Sequence, residues 1–78
     1  MNNDLKEYYR DGMYMLFDKY LHDLESENKK SSIYSIFLNE QKSNYIHNNS
    51  MKRIVIDYIA GMTDDFFINE VKSYQKRL

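Results

Sequence analysis

No proline interrupts this chain of 78 residues, and its only glycines are Gly12 and Gly61. Proline breaks helices because it lacks a backbone N–H and clashes with the preceding turn, and glycine weakens them through its backbone entropy. A chain with so few of either is free to form long helices. Its apolar residues recur at steps of three and four, the period of a helix. The expected fold is therefore all-α, a small bundle of about four helices in antiparallel succession. One domain, residues 1–78, accounts for the whole length, because a chain this short buries only about 60% of its unfolded surface.

The totals also narrow the function. No cysteine is present, which removes disulfides, thiolate metal sites and cysteine nucleophiles together. Eleven basic residues balance twelve acidic ones, so no basic field exists to hold nucleic acid. The N-terminal residues Met1-Asn2-Asn3-Asp4 are polar, and no apolar run approaches the roughly 20 residues that cross a bilayer. These features lead us to expect a cytoplasmic chain that uses neither a membrane nor a nucleic acid. The surplus of Tyr, Asn, Lys and Ile reads as the bias of an AT-rich coding sequence. Without a basic groove, the eight tyrosines read as core and interface residues, not as stacking platforms.

Along the chain, a first helix is expected from about Asp4 to Leu24, with Asp4 at its N-cap or first turn. Leu5, Tyr9, Met13, Leu16, Tyr20 and Leu24 form its stripe, widened by Phe17 and Leu21. Tyr8, Tyr14 and Met15 fall outside the stripe, as they would on a helix with a second neighbour. Residues 25–31 are polar and aperiodic and read as a loop. Ser31 or Ser32 then caps a second helix to about His47, with Ile33, Ile36 and Phe37 on one face and a polar middle from Asn39 to Asn44. After a break at residues 47–50, Asn49 or Ser50 caps a third helix. Its stripe is Met51, Ile54, Val55, Tyr58, Ile59 and Met62. Thr63 or Asp64 starts the last helix, which packs through Phe67, Val71, Tyr74 and Leu78 and places Lys72, Lys76 and Arg77 in its final turns.

Core packing does not explain the octet Asp57-Tyr58-Ile59-Ala60-Gly61-Met62-Thr63-Asp64. Opposite the apolar stripe, Arg53, Asp57, Ala60, Gly61 and Asp64 gather at steps of three and four. Arg53 and Asp57 can pair along the helix, for about 0.2–0.5 kcal/mol. A glycine inside a helix costs about 1 kcal/mol against alanine, so Gly61 needs a reason. Either it ends the helix in a left-handed cap, or Ala60-Gly61 forms a flat patch approached by another backbone; the two are compatible.

This octet resembles, residue for residue, a segment near the C-terminus of bacterial dGTP triphosphohydrolase-like proteins of the His-Asp (HD) phosphohydrolase superfamily. There it lies in the helical phosphohydrolase-associated domain appended to the catalytic core. Arg53-Ile54-Val55-Ile56 before the octet and Phe66-Phe67 after it extend the likeness, and Met13-Tyr14-Met15-Leu16-Phe17 resembles the opening of that domain in apolar pattern. The resemblance implies that Arg53, Asp57, Tyr58, Gly61 and Asp64 are interface residues bonding into a catalytic core. It also implies a partner, an HD catalytic domain in cis or in trans, and a divalent metal in that domain, not in this chain. Where many relatives carry a polar residue followed by Tyr-Ala, this chain has Asp65-Phe66-Phe67, so no contact with an anionic substrate is carried over there.

His22-Asp23 is an HD dipeptide by spelling, but no histidine precedes it and His47 is the only other one. Adjacent residues on a helix point about 100° apart. His22 is expected to be an exposed helix-end imidazole, with a metal site on His22 and His47 as the rival reading. Asp64-Asp65 is read as the acidic start of a helix and not as a metal pair. The expected function is an accessory, non-catalytic domain of a dNTP triphosphohydrolase-like protein. The alternative is a free-standing helical module that self-associates as a dimer through Tyr8, Tyr14 and Met15.

Overall fold

The computed structural model describes the backbone of residues 3–77 and the side chains of residues 6–75. The side chains of Asp4, Leu5, Lys76 and Arg77, and all of Leu78, lie outside the described residues, and with them the sequence expectations placed there. The chain is all-α, with no strand among the described residues. Helix α1 runs Asn3–Glu25, α2 Ser43–Asn48, α3 Met51–Ala60 and α4 Asp64–Arg77; a π-helical turn at Ile33–Phe37 and a 3-10 turn at Leu38–Glu40 precede α2.

The buried residues form one cluster, contributed by α1 (Leu16, Tyr20, Leu24), the π turn (Ile33), α3 (Ile54, Val55, Tyr58, Ile59) and α4 (Phe67, Val71), with Leu38 from the 3-10 turn. Burying each such side chain is worth about 1.5–3 kcal/mol. Helix α1 is the spine, packing against both α3 and α4. Its pattern differs from expectation. Of Tyr8, Tyr14 and Met15, expected outside the stripe, Tyr8 and Met15 pack half-buried against the core and only Tyr14 is exposed. The stripe itself shifts at one step. Met13 is exposed, and Gly12 takes the core position beside it. A Cβ on Gly12 would lie 3.0 Å from Val71 Cγ2 and 3.2 Å from Phe67 Cζ. Absence of a side chain is what lets α4 cross α1 at this point.

The second expected helix does not form as one piece. The Leu38 N–H donates to Ile33 O, five residues back, so the wider π turn carries Ile33 and Leu38 into the core together. Ile36, expected on the inner face, is turned out to solvent, and Phe37 is half-buried. Gln41 and Lys42 are extended before α2 begins. The polar run from Asn39 to Asn44 has no apolar face to hold an α-helix against the core, and most helical stability comes from such a face.

The helix ends also redistribute. Ser50 caps α3 by accepting the Arg53 N–H at 3.1 Å, while Asn49 donates its side-chain amide to Tyr45 O. Thr63 caps α4 by accepting the Phe66 N–H at 3.2 Å. Gly61 is not a left-handed cap: its φ is −86° and ψ −3°, and its N–H bonds back to Asp57 O. The left-handed residue is Glu27, φ 55°, just past α1. There the Asn28 N–H bonds Asp23 O and the Glu27 N–H bonds Leu24 O, the paired bonds of a Schellman ending.

Candidate functional site

The octet begins on the last turns of α3 and ends at the first residue of α4. Arg53 and Asp57, one helical turn apart, form an ion pair with Nε–Oδ1 3.1 Å. The other oxygen, Oδ2, accepts from the Tyr45 hydroxyl of α2 at 2.5 Å. Both oxygens of Asp57 are therefore held inside the chain, and α2 is tied to the signature helix through this one carboxylate. Burial, then the bond to Asp57 and its charge, push the Tyr45 hydroxyl up to about 12, against the opposing pull of Arg53. Sequence gives no signal for Tyr45, because twelve residues and an irregular chain path separate it from Asp57.

The remaining signature residues divide. Tyr58 is 5% exposed and lies in the core, its ring edge-on to Tyr20 at 5.0 Å between centroids and close to Phe37 and Phe66. It is the apolar-stripe reading of Tyr58 that describes its place; its ring offers little surface to a partner. Its hydroxyl donates to Ser32 Oγ at 2.9 Å, Ser32 donates to Glu70 Oε1 at 3.0 Å, and the Tyr20 hydroxyl donates to the same Glu70 oxygen. This polar chain links α1, the start of the π turn, α3 and α4. Burial first, then Glu70, raise the Tyr20 hydroxyl far above its ordinary range, and burial likewise raises that of Tyr58.

Gly61 and Asp64 are exposed, as is Ala60. Apolar grooves open beside this exposed corner. One, of about 310 Å³, is lined by Gly61 with Ile36, Phe37, Met62, Thr63 and Phe66 and by the small exposed edge of Tyr58. Another, of about 460 Å³, is lined by Ala60 with Met13, Tyr14, Phe17, Ile56 and Ile59. Nothing within the chain crowds Gly61, whose nearest would-be Cβ contact is 3.6 Å away. Of the two reasons for Gly61, the left-handed cap is thus excluded by its backbone, and a flat, accessible corner is what the chain presents.

The HD dipeptide has a structural explanation. Asp23 is 6% exposed, and its Oδ2 accepts from Lys19 Nζ at 2.7 Å and from Ser31 Oγ at 2.6 Å. Its Oδ1 accepts from Asn28 Nδ2 at 3.4 Å. Burial pushes this carboxyl up, but the bonds and charge of Lys19 with those of Ser31 and Asn28 outweigh it and hold it below its usual range. With both oxygens engaged it fastens the α1 ending to the loop after it, while His22 faces solvent. Among the described residues no three His, Asp or Glu side chains stand together as metal ligands. Asp64 and Asp65 sit exposed in the first turn of α4.

What the fold offers is an anchored polar helix face beside open apolar grooves. That combination belongs to a small all-α domain. Residues 3–73 match the phosphohydrolase-associated domain, and the chain belongs to that family. Neither the curated proteins nor the solved structures compared with it gave a match. No helix among the described residues is long and apolar enough to cross a membrane.

Proposed function

We propose that this chain is the accessory helical domain of a dNTP triphosphohydrolase-like protein, packing on an HD catalytic domain held in cis or in trans. The observation that carries this reading is the family match over residues 3–73. The geometry of α3 supports a docking role for Arg53, Gly61 and Asp64. Asp57 acts from behind, because its bonds to Arg53 and Tyr45 hold the guanidinium and α2 in place. Tyr58 positions the same helix from the core side through Ser32. In this role the chain catalyses nothing by itself. The divalent metal and the cleavage of a deoxynucleoside triphosphate to deoxynucleoside and inorganic triphosphate belong to the partner domain. Exposed polar residues around an accessible glycine suit a partner helix that approaches closely and bonds laterally.

The test is binding of this chain to a separately expressed HD catalytic domain of a triphosphohydrolase, followed by calorimetry. Arg53→Glu and Gly61→Trp are both exposed and should each weaken binding about tenfold, the effect of losing a contact worth about 1.4 kcal/mol. Unchanged affinity in both variants would reject the signature face as the docking surface. Release of triphosphate from a dNTP by this chain alone, with magnesium or manganese supplied, would reject the accessory role.

A further inference from the structure

The outer face of α1 carries a pattern that the docking reading leaves unused. Arg10, Tyr14 and Asp18 lie four residues apart and are all exposed, so they form one row along the helix. Tyr14 is 67% exposed, and Met13 beside it 51%. Across the groove on α3, Ile56 is 50% exposed. The row is basic at its N-terminal end, apolar in the middle and acidic at its C-terminal end. The one recorded ion pair of Arg10 is with its neighbour Asp11, at 3.6 Å with both side chains largely in solvent, and Asp18 has none among the described residues. Both charges are available.

We propose that this face is a self-complementary interface and that its occupant is a second copy of this chain, in a two-fold dimer with α1 against α1 antiparallel. The charge pattern selects that arrangement. With the two-fold axis beside Tyr14, Arg10 and Asp18 each lie about 6 Å along the helix from it, in opposite directions. Antiparallel pairing therefore sets Arg10 of one copy opposite Asp18 of the other, and the reverse, as an isologous interface requires. Parallel pairing would set like charges face to face. The same operation lays Met13 and Tyr14 of each copy over the apolar groove of its partner, which removes from water the most exposed aromatic side chain recorded in the fold. The interface is small and polar at its ends, so the dimer is weak and sensitive to salt. It uses α1 and the groove formed with Ile56, Ile59 and Ala60 of α3, and not the Arg53–Asp57 pair.

Sedimentation equilibrium of the whole chain, from low micromolar to high micromolar concentration at low salt, tests it. Wild type is expected to self-associate. Arg10→Asp places acid against acid and Asp18→Arg places base against base, and each should weaken dimerisation about tenfold. An equimolar mixture of the two variants should dimerise again, because each then meets an opposite charge at both ends. All three positions are exposed, and circular dichroism confirms that the variants fold; Tyr14→Ala should weaken the dimer with all charges intact. A monomeric wild type overturns the proposal. So does a dimer indifferent to the single charge reversals, or a mixture that stays as weak as either variant alone.

Discussion

Replacing Glu27 by glycine should make the protein more stable, although it removes a side chain and introduces the residue that most weakens helices. Glu27 sits at φ 55°, the position after the cap in the Schellman ending of α1. An L-residue in that region costs about 1–2 kcal/mol from crowding of its Cβ against the carbonyl. Glycine avoids this cost but loses more backbone freedom on folding, about 0.5–1 kcal/mol. Removing a negative charge near the negative end of the α1 dipole recovers a further 0.3 kcal/mol or so. The net gain is about 1 kcal/mol, which for a domain of this size raises Tm by about 4–8 °C. Glu27→Gln isolates the charge and should gain only a few tenths of a kcal/mol. Gly61→Ala is the matched control: φ −86° suits any residue, and the new Cβ meets only ordinary contacts at 3.6 and 3.8 Å. It should therefore be neutral or gain about 0.4–1 kcal/mol. Thermal melts followed by circular dichroism decide the matter. A Tm that is unmoved or lowered in Glu27→Gly, or lowered by several degrees in Gly61→Ala, would refute this placement of the left-handed cap.

Asp23→Ala removes the buried partner of Lys19, Ser31 and Asn28 and should cost about 3 kcal/mol in urea unfolding. Because the folded carboxyl titrates below its ordinary value of 3.8, its contribution is complete above that pH and is lost as pH falls through the lower folded value. Wild type should therefore lose its advantage over Asp23→Ala only in that acid window, and an advantage that disappears near neutral pH would contradict the assignment. Gly12→Leu should cost about 1–3 kcal/mol or more, since its side chain must displace Val71 and Phe67; a Tm at or above wild type would show that α4 does not cross at Gly12. Tyr45→Phe should cost about 1 kcal/mol by leaving one Asp57 oxygen without its donor. In alkaline absorbance titration the same variant should lose the transition at about 12 while the other tyrosines titrate as before, and retention of that transition would assign it elsewhere.

Much of the architecture was legible because helices announce themselves locally. The α1 stripe through Leu16, Tyr20 and Leu24 and the α3 stripe through Ile54, Val55, Tyr58 and Ile59 follow from spacing. The chemistry of free N–H groups narrows the caps to Asn49 or Ser50 and to Thr63 or Asp64, of which Ser50 and Thr63 make the bonds. The octet could be recognised as a family signature because its agreement is of residue types in order. The family match extends over most of the chain, whereas the resemblance was diagnostic only from Arg53 to Phe67.

What sequence alone determined, then, is the all-α class, the principal helices and the family, each written in short-range periodicity or contiguous residues. Tertiary structure decided the rest, because those choices depend on what lies opposite. Gly12 rather than Met13 faces inward because α4 crosses there, a fact no helical wheel contains. The segment from Ile33 to Glu40 winds as π and 3-10 turns because Ile33 and Leu38 must both reach the core. Glu27, not a glycine, takes the left-handed position because Asp23, buried and bonded on both oxygens, fixes the path of the chain around it. Asp57 finds Tyr45 only once α2 has folded back beside α3. Local pattern specifies which segments coil; contacts between residues distant in sequence specify which atoms meet.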